Sequence, residues 1–272
     1  MRASLSDDGR YPGFCARAAE DDAVFATFRQ AWDYRAVLEH VTREQGAAYL
    51  EEIRKHKPVF AALEAFRAND AVGSPALESY PEIGAFSPST LRYGKVVADL
   101  NGLFGSLDGL DVCEIGVGYG GQCRLIDAFS PPKSYTLVDI KPALSLAQRY
   151  LDHFPLNTAV RFLTMNELPQ SAFDVVISNY AFTELPRTIQ EVYLRKAILG
   201  AARGYITYNQ ITPEDFRSYR RDELVGLLPG AKVLPEQPET YPGNCIIVWG
   251  GLPRPKRARA VASSGRGRER PA

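Results

Sequence analysis

The chain has 272 residues, enough for one catalytic domain of about 160 residues and a smaller helical region. With 45% hydrophobic and 11% aromatic residues it has the material for a real core, which argues against disorder except at the ends. The zero formal net charge divides into +6 over the last twenty residues, from Pro253, and −6 over the body, which argues against a nucleic-acid-binding surface.

Residues 1–20 are polar, with glycine and proline, and are expected to be weakly ordered. From Asp21 to about Arg67 the pattern is helical. Val24, Phe25, Phe28, Trp32, Val37 and Leu38 recur at spacings of three and four, and Tyr49, Leu50, Ile53 and Phe60 continue the stripe, with a break at Pro58. These apolar stripes suit either covering an active site or joining two copies as a homodimer. Gly73, Pro75, Pro81, Gly84 and Pro88 mark a loop, so that 21–90 forms a helical region and loop. Ser89 or Thr90 is expected to cap a helix from Leu91 to about Phe104.

From Gly109 strand-length apolar runs alternate with helical patterns. This predicts an α/β fold, a Rossmann-like seven-stranded sheet over residues 91–252. The strands fall at Asp111–Ile115, Ser134–Val138, Val160–Leu163, Phe173–Ser178, Gly204–Tyr208, Lys232–Leu234 and Cys245–Trp249. Helices fall near Gly121–Phe129, Pro142–His153, Ile189–Ala202 and Pro213–Leu228. No helix separates the third and fourth strands, and the last strand is predicted to enter antiparallel. The basic segment 253–272 is predicted to be a disordered tail. Cys15, Cys113, Cys123 and Cys245 lack metal or C-x-x-C spacing and are expected to be free thiols in a reducing compartment. With no secretion signal and no membrane-spanning run, a cytoplasmic location is expected.

The first strand runs into Val112-Cys-Glu-Ile-Gly-Val-Gly-Tyr-Gly-Gly121. Its glycines allow a sharp strand-to-helix turn and close approach of a ligand to main-chain N–H groups. Gly116, Gly118 and Gly121 also satisfy the dinucleotide G-x-G-x-x-G pattern, so an NAD-dependent oxidoreductase is the alternative. Glu114 distinguishes the two. A carboxylate beside the turn repels a pyrophosphate and attracts the ammonium and sulfonium of S-adenosylmethionine. Asp139 ends the second strand, where it can accept ribose hydroxyls from either cofactor. Ile140 would pack on the adenine, and Asn166 would bond its edge. Asn179 and Tyr180, at the end of the fourth strand, would face the reacting methyl.

Together these elements resemble the class I methyltransferases. More narrowly, the chain resembles the bacterial sugar O-methyltransferase family. The resemblance rests on Ser87-Pro-Ser-Thr-Leu-Arg-Tyr93, Glu114-Ile-Gly-Val-Gly-Tyr-Gly-Gly-Gln-Cys123, Ser178-Asn-Tyr-Ala-Phe-Thr-Glu-Leu185, Gln190, Tyr193 and Gly204-Tyr-Ile-Thr-Tyr-Asn-Gln210, and covers roughly residues 25 to 250. It implies methyl transfer from S-adenosylmethionine to a sugar or glycoconjugate hydroxyl. A small-molecule natural product is the alternative acceptor. The candidate cofactor contacts are Glu114, Gly116, Gly118, Tyr119, Gly120, Gln122, Asp139, Ile140, Asn166 and Asn179. A hydroxyl acceptor needs a base. Glu184 is the first candidate, with Tyr180 beside it, while Tyr193, Asn209 and Arg92 are expected to position the acceptor. His40, His56 and His153 are expected at the surface or in packing, and no ligand set for a metal is apparent.

Overall fold

The computed structural model describes residues 9–250. The expected basic tail lies outside the described residues. Helix α1, Arg10–Glu20, opens the described chain and corrects the expectation of a weakly ordered start. Tyr11, Phe14, Cys15 and Ala18 form one buried stripe at helical spacing, which the nearby Gly9, Pro12 and Gly13 conceal in the sequence. Pro12 falls in the first turn, where no intrahelical donor is lost. Short helical turns follow, then α2, Arg43–Arg54. It starts at a capping box in which Thr42 Oγ1 accepts from the Gln45 N–H at 3.2 Å and Gln45 Oε1 accepts from the Thr42 N–H at 3.0 Å. Pro58 begins the next short helix, Lys57–Ala61, rather than breaking one.

The segment expected as a loop contains a two-stranded hairpin, Glu78–Tyr80 with Gly84–Phe86. Helix α3 then runs Pro88–Phe104 with Ser87 at its N-cap. Ser89 and Thr90 therefore lie inside the helix and are not its cap. Thr90 instead donates to Asp70 Oδ1 at 2.6 Å and accepts from Asn69 Nδ2 at 2.7 Å.

Seven strands form the main sheet: β1 Asp111–Ile115, β2 Ser134–Val138, β3 Ala159–Leu163, β4 Val175–Asn179, β5 Arg203–Tyr208, β6 Lys232–Pro235 and β7 Cys245–Trp249. Their order is β3-β2-β1-β4-β5-β7-β6, parallel through β5, with β7 antiparallel to both its neighbours. This is the Rossmann-like seven-stranded sheet expected from the sequence. Its central strands are buried on both faces, as continuous apolar runs require. Helices α4 Gly121–Phe129, α5 Lys141–Leu151, α6 Arg187–Tyr193 and α7 Arg221–Leu227 connect the strands. The last two are shorter than the sequence suggests. A π-turn, Leu194–Ile198, ends the first of them, and Arg217 in the left-handed region interrupts the second.

The chain reverses direction across the sheet between β1 and β4, which opens a crevice beyond their carboxyl ends. The N-terminal helices pack over that end. A buried polar cluster ties them down: Arg29 pairs with Glu39 at 2.7 Å and Asp70 at 3.3 Å, and donates to the Asn69 carbonyl and Ser87 Oγ. The four cysteines are buried and unpaired. Among the described residues, no helix is long and apolar enough to cross a membrane.

Candidate active site

A cavity of about 1040 Å³ lies beyond the carboxyl ends of the central strands. β1 delivers Glu114 to its wall. Only 2% of this residue is exposed, and its carboxyl accepts from Tyr135 Oη at 2.8 Å. Burial lifts its pKa from 4.5 to about 8, against the lowering effect of the Tyr135 hydrogen bond. The chain then turns through Gly116, at φ 79°, where a Cβ would lie 2.0 Å from Ala181 Cβ. No side chain fits there, and the backbone is left bare toward the cavity.

Asp139 follows β2. Its Oδ2 accepts from the Val117 N–H at 2.8 Å and its Oδ1 from its neighbour Ile140 at 2.7 Å. The carboxylate thus braces the glycine turn while lining the cavity. Burial raises its pKa and the backbone donors oppose that rise. Ile140, exposed, and Asn166, at the rim, line the same side.

β4 ends in a locked corner. Ser178 Oγ donates to the Ile115 carbonyl at 2.9 Å and accepts from the Phe182 N–H at 3.1 Å, fixing the end of β4 to the end of β1. Asn179 Oδ1 accepts from Thr207 Oγ1 at 3.2 Å. Tyr180 adopts φ 65°, a left-handed conformation uncommon for a bulky residue. Thr183 holds it there by donating from both N and Oγ1 to the Tyr180 carbonyl, at 3.0 and 2.7 Å. The Tyr180 hydroxyl donates to Glu236, which also accepts from Thr240 N and Oγ1 at 2.9 and 2.7 Å. Glu184 Oε1 accepts from Asn209 Nδ2 at 2.7 Å, and Asn209 Oδ1 lies 2.6 Å from Thr183 Oγ1, whose one proton it shares with the Tyr180 carbonyl. Burial raises the Glu184 pKa, opposed by that bond from Asn209. Tyr193 and Arg92 also line the cavity.

Three expected cofactor contacts do not line it. Tyr119 is fully buried in an aromatic cluster, with ring centroids 4.7 Å from Tyr150 and 5.6 Å from Phe28. Gly120, at φ 85°, backs onto Leu151 and Ala147. Gln122 is buried beneath α3, its amide donating to the Tyr93 carbonyl at 3.4 Å. Once the chain enters α4, its side chains turn into the helix layer and away from the crevice.

Other cavity residues carried no functional signal in the sequence. Glu236, Thr240 and Asn244 come from the β6–β7 connection, which registers there only as a join. Tyr49 lies in an apolar helical stripe indistinguishable from core, and His40, Leu38 and Trp32 form part of the roof. For His40 the surface expectation holds in part: it is exposed and also lines the cavity. Burial, and then the charge of Arg92, lower its pKa.

No protein-family model and no curated protein matches the chain. Among solved structures it is similar to the magnesium protoporphyrin IX methyltransferase ChlM from Synechocystis PCC 6803, solved with bound SAM. That pair shares 16% identity over 58% of this chain and 74% of the other, with a TM-score of 0.42. The pyocyanin biosynthetic protein PhzM is similar at 17% identity over 62% of this chain and 58% of its own, with a TM-score of 0.42. The methyltransferase domain of bacterial CtHen1 is similar at 15% identity over 58% of this chain and 96% of its own, again with a TM-score of 0.42.

Proposed function

We propose that the protein is an S-adenosylmethionine-dependent methyltransferase that acts on a hydroxyl of a sugar or glycoconjugate. The observation that carries this is the joint placement of a bare glycine turn and two carboxyl groups, Glu114 and Asp139, at one large cavity. The residues fit this cofactor better than a dinucleotide. A buried carboxyl beside the turn suits an ammonium group and opposes a pyrophosphate. Asp139 accepts one backbone bond at each oxygen and has acceptor capacity left for ribose hydroxyls. When bound, the cofactor supplies a methyl group on a cationic sulfur.

The rest of the cavity suits a polyhydroxylated acceptor. Tyr49, Tyr180, Tyr193 and Trp32 offer ring faces and edges, and Glu184, Asn209 and Glu236 offer hydrogen-bonding groups. Glu184 would take the acceptor's proton; its raised pKa makes it a stronger base than an exposed carboxylate. Asn209 orients it through one firm hydrogen bond. Tyr180, held by Glu236, positions the acceptor oxygen. Alignment of the acceptor oxygen with the cofactor's methyl then does most of the work.

The test is calorimetric titration of S-adenosylmethionine, S-adenosylhomocysteine and NAD into the wild type and Asp139→Ala. The first two bind and NAD does not, and the variant weakens both by about 10- to 100-fold, the worth of hydrogen bonds to a charged group. Binding of NAD alone would return the glycine turn to the oxidoreductase alternative. Transfer of labelled methyl to a panel of monosaccharides and glycosides then tests the acceptor, and transfer only to amines would overturn the hydroxyl assignment.

A further inference from the structure

Two cations that are buried or half-buried line the cavity, Lys95 and Arg92, both on α3. Lys95 is matched by Asp99 at 2.6 Å. Arg92 donates from Nη2 to the Leu38 carbonyl at 3.0 Å, and no carboxylate pairs with it among the described residues. The neighbouring acids are already engaged. Glu39, whose charge bears on Arg92, is bonded to Arg29 at 2.7 Å. Glu184 is held by Asn209. Glu236 accepts from Tyr180 at one oxygen and from Thr240 N and Oγ1 at the other.

The groups around Arg92 belong to the acceptor end of the cavity. Its charge bears on Tyr93, Tyr49 and Tyr180, all neutral phenols. Tyr49 and Tyr180 also interact through their hydroxyls, and Tyr180 continues the chain to Glu236 and Thr240. The Tyr93 ring centroid lies 5.6 Å from the guanidinium, a cation–π distance. One ring and one carbonyl leave a five-donor fork with donors to spare. Burial works against the charge, and a desolvated guanidinium without a counter-ion is costly. The fork suits a carboxylate, which it holds through two parallel N–H···O bonds. A single unmatched positive charge also balances a monoanion. A phosphate monoester carries close to two negative charges and would leave one unbalanced in a cavity that already holds Glu184 and Glu236.

Resting on the sugar-acceptor reading above, we infer that the acceptor is an acidic sugar of the uronic acid type, its carboxylate received by the Arg92 guanidinium beside Tyr49 and Tyr180. Arg92 then selects among sugars by charge.

The experiment follows transfer of a labelled methyl group from S-adenosylmethionine to methyl glycosides of glucose, galactose and mannose, each in neutral, 6-phosphorylated and uronate forms. Wild type and Arg92→Gln are compared by kcat/KM, and their affinity for S-adenosylhomocysteine is measured by calorimetry. The wild type should favour the best uronate over its neutral counterpart by about 10- to 100-fold, the range expected for hydrogen bonds between charged groups. Arg92→Gln should lose that preference through KM while keeping its affinity for S-adenosylhomocysteine. Equal use of neutral and uronate forms by the wild type, or a preference that survives in Arg92→Gln, overturns the inference and leaves the sugar methyltransferase reading in place. A phosphorylated glycoside as the best acceptor overturns the carboxylate assignment. Lost affinity for S-adenosylhomocysteine in Arg92→Gln assigns the residue to the cofactor and overturns it as well. Should Arg92→Gln fail to fold by circular dichroism, Arg92→Lys decides: a lowered preference supports the two-bond contact, and an undiminished one refutes it. Transfer to none of the glycosides by a protein that binds S-adenosylhomocysteine refutes the acidic sugar and the sugar acceptor together. Failure to bind S-adenosylhomocysteine refutes the methyltransferase reading itself.

Discussion

Replacing Gly116 with alanine tests the geometry of the site at its narrowest point. The added Cβ would lie 2.0 Å from Ala181 Cβ and 3.5 Å from Ala181 Cα, so the obstacle is a short side chain fixed to its backbone. Gly116 also holds φ 79°, which costs an L-residue about 1–2 kcal/mol. Forcing a methyl into a closed contact adds about 1–3 kcal/mol. Together these predict a loss of about 2–5 kcal/mol in urea unfolding. They also predict weaker binding of S-adenosylhomocysteine, because relief of the clash must part the glycine turn from the corner after β4. Gly118→Ala is the control. It too has a positive φ, at 55°, but its Cβ would meet the flexible end of Leu38, at 2.8 Å. Its stability loss should be smaller, near the strain cost alone. If Gly116→Ala unfolds at the wild-type urea concentration and binds S-adenosylhomocysteine normally, the β1 and β4 corners are not in contact and the described floor of the site is wrong.

Glu114→Gln should change the pH dependence of stability. The raised folded-state pKa, about 8 against 4.5, means that the carboxyl is destabilising once ionised. The penalty is absent below about pH 4.5 and grows as pH rises toward 8, on the order of 5 kcal/mol, so the variant should flatten the fall in stability across that range in denaturation curves without ligand. Tyr119→Phe removes the hydroxyl that accepts from Asn69 Nδ2 at 3.1 Å and should cost about 1–3 kcal/mol of stability while leaving S-adenosylhomocysteine affinity unchanged; a lost affinity would return Tyr119 to the cofactor site. Arg29→Met strands Glu39 and Asp70 and should cost about 3–5 kcal/mol by thermal or urea unfolding. Glu184→Gln should leave cofactor affinity within about twofold and lower methyl transfer by about 100- to 10,000-fold; in the wild type, the rate should rise with pH through a midpoint above the ordinary carboxylate range.

The strands were the most legible part of the molecule. Val112, Cys113, Ile115, Tyr135, Leu137 and Val138 are buried because central parallel strands face helices on both sides, and this leaves mostly apolar runs in the sequence, broken only by Glu114 and Thr136. The carboxyl ends of β1, β2 and β4 were legible for a related reason. Polar residues near the carboxyl ends of such runs, Glu114 within β1, Asp139 just after β2 and Asn179 at the end of β4, have few places to go other than the crevice. Tyr119 and Gln122 mark the limit of that logic. They lie within the glycine motif, yet side-chain direction reverses where the strand becomes α4, and nothing local in the sequence records the reversal. The N-terminal region was legible as helical but not as eight separate pieces, most of them short. Its breaks, as at Thr27 and Ala62, carry no glycine or proline, and its longer helices pack on α3 and α5.

That packing explains how a fold shared by many chemistries becomes one particular site. The sheet supplies the glycine turn, Glu114 and Asp139, a general device for holding a nucleoside with a charged tail. Everything above it comes from outside the sheet: Leu38, His40 and Tyr49 from the N-terminal helices, and Glu236, Thr240 and Asn244 from the β6–β7 connection. Arg29 fixes Glu39, and Glu39 lies between two of those roof residues, Leu38 and His40. A fully buried ion-pair cluster is poor value as stability alone, since apolar residues of the same volume can do as well. Here it sets the height and register of the roof. Leu38, next to Glu39 in the chain, lies over Gly118, and its carbonyl accepts from Arg92. The walls of the cavity thus come largely from outside the glycine motif, and the buried Arg29 ties the segment that carries Leu38 and His40 to Asp70 and to Ser87 at the start of α3.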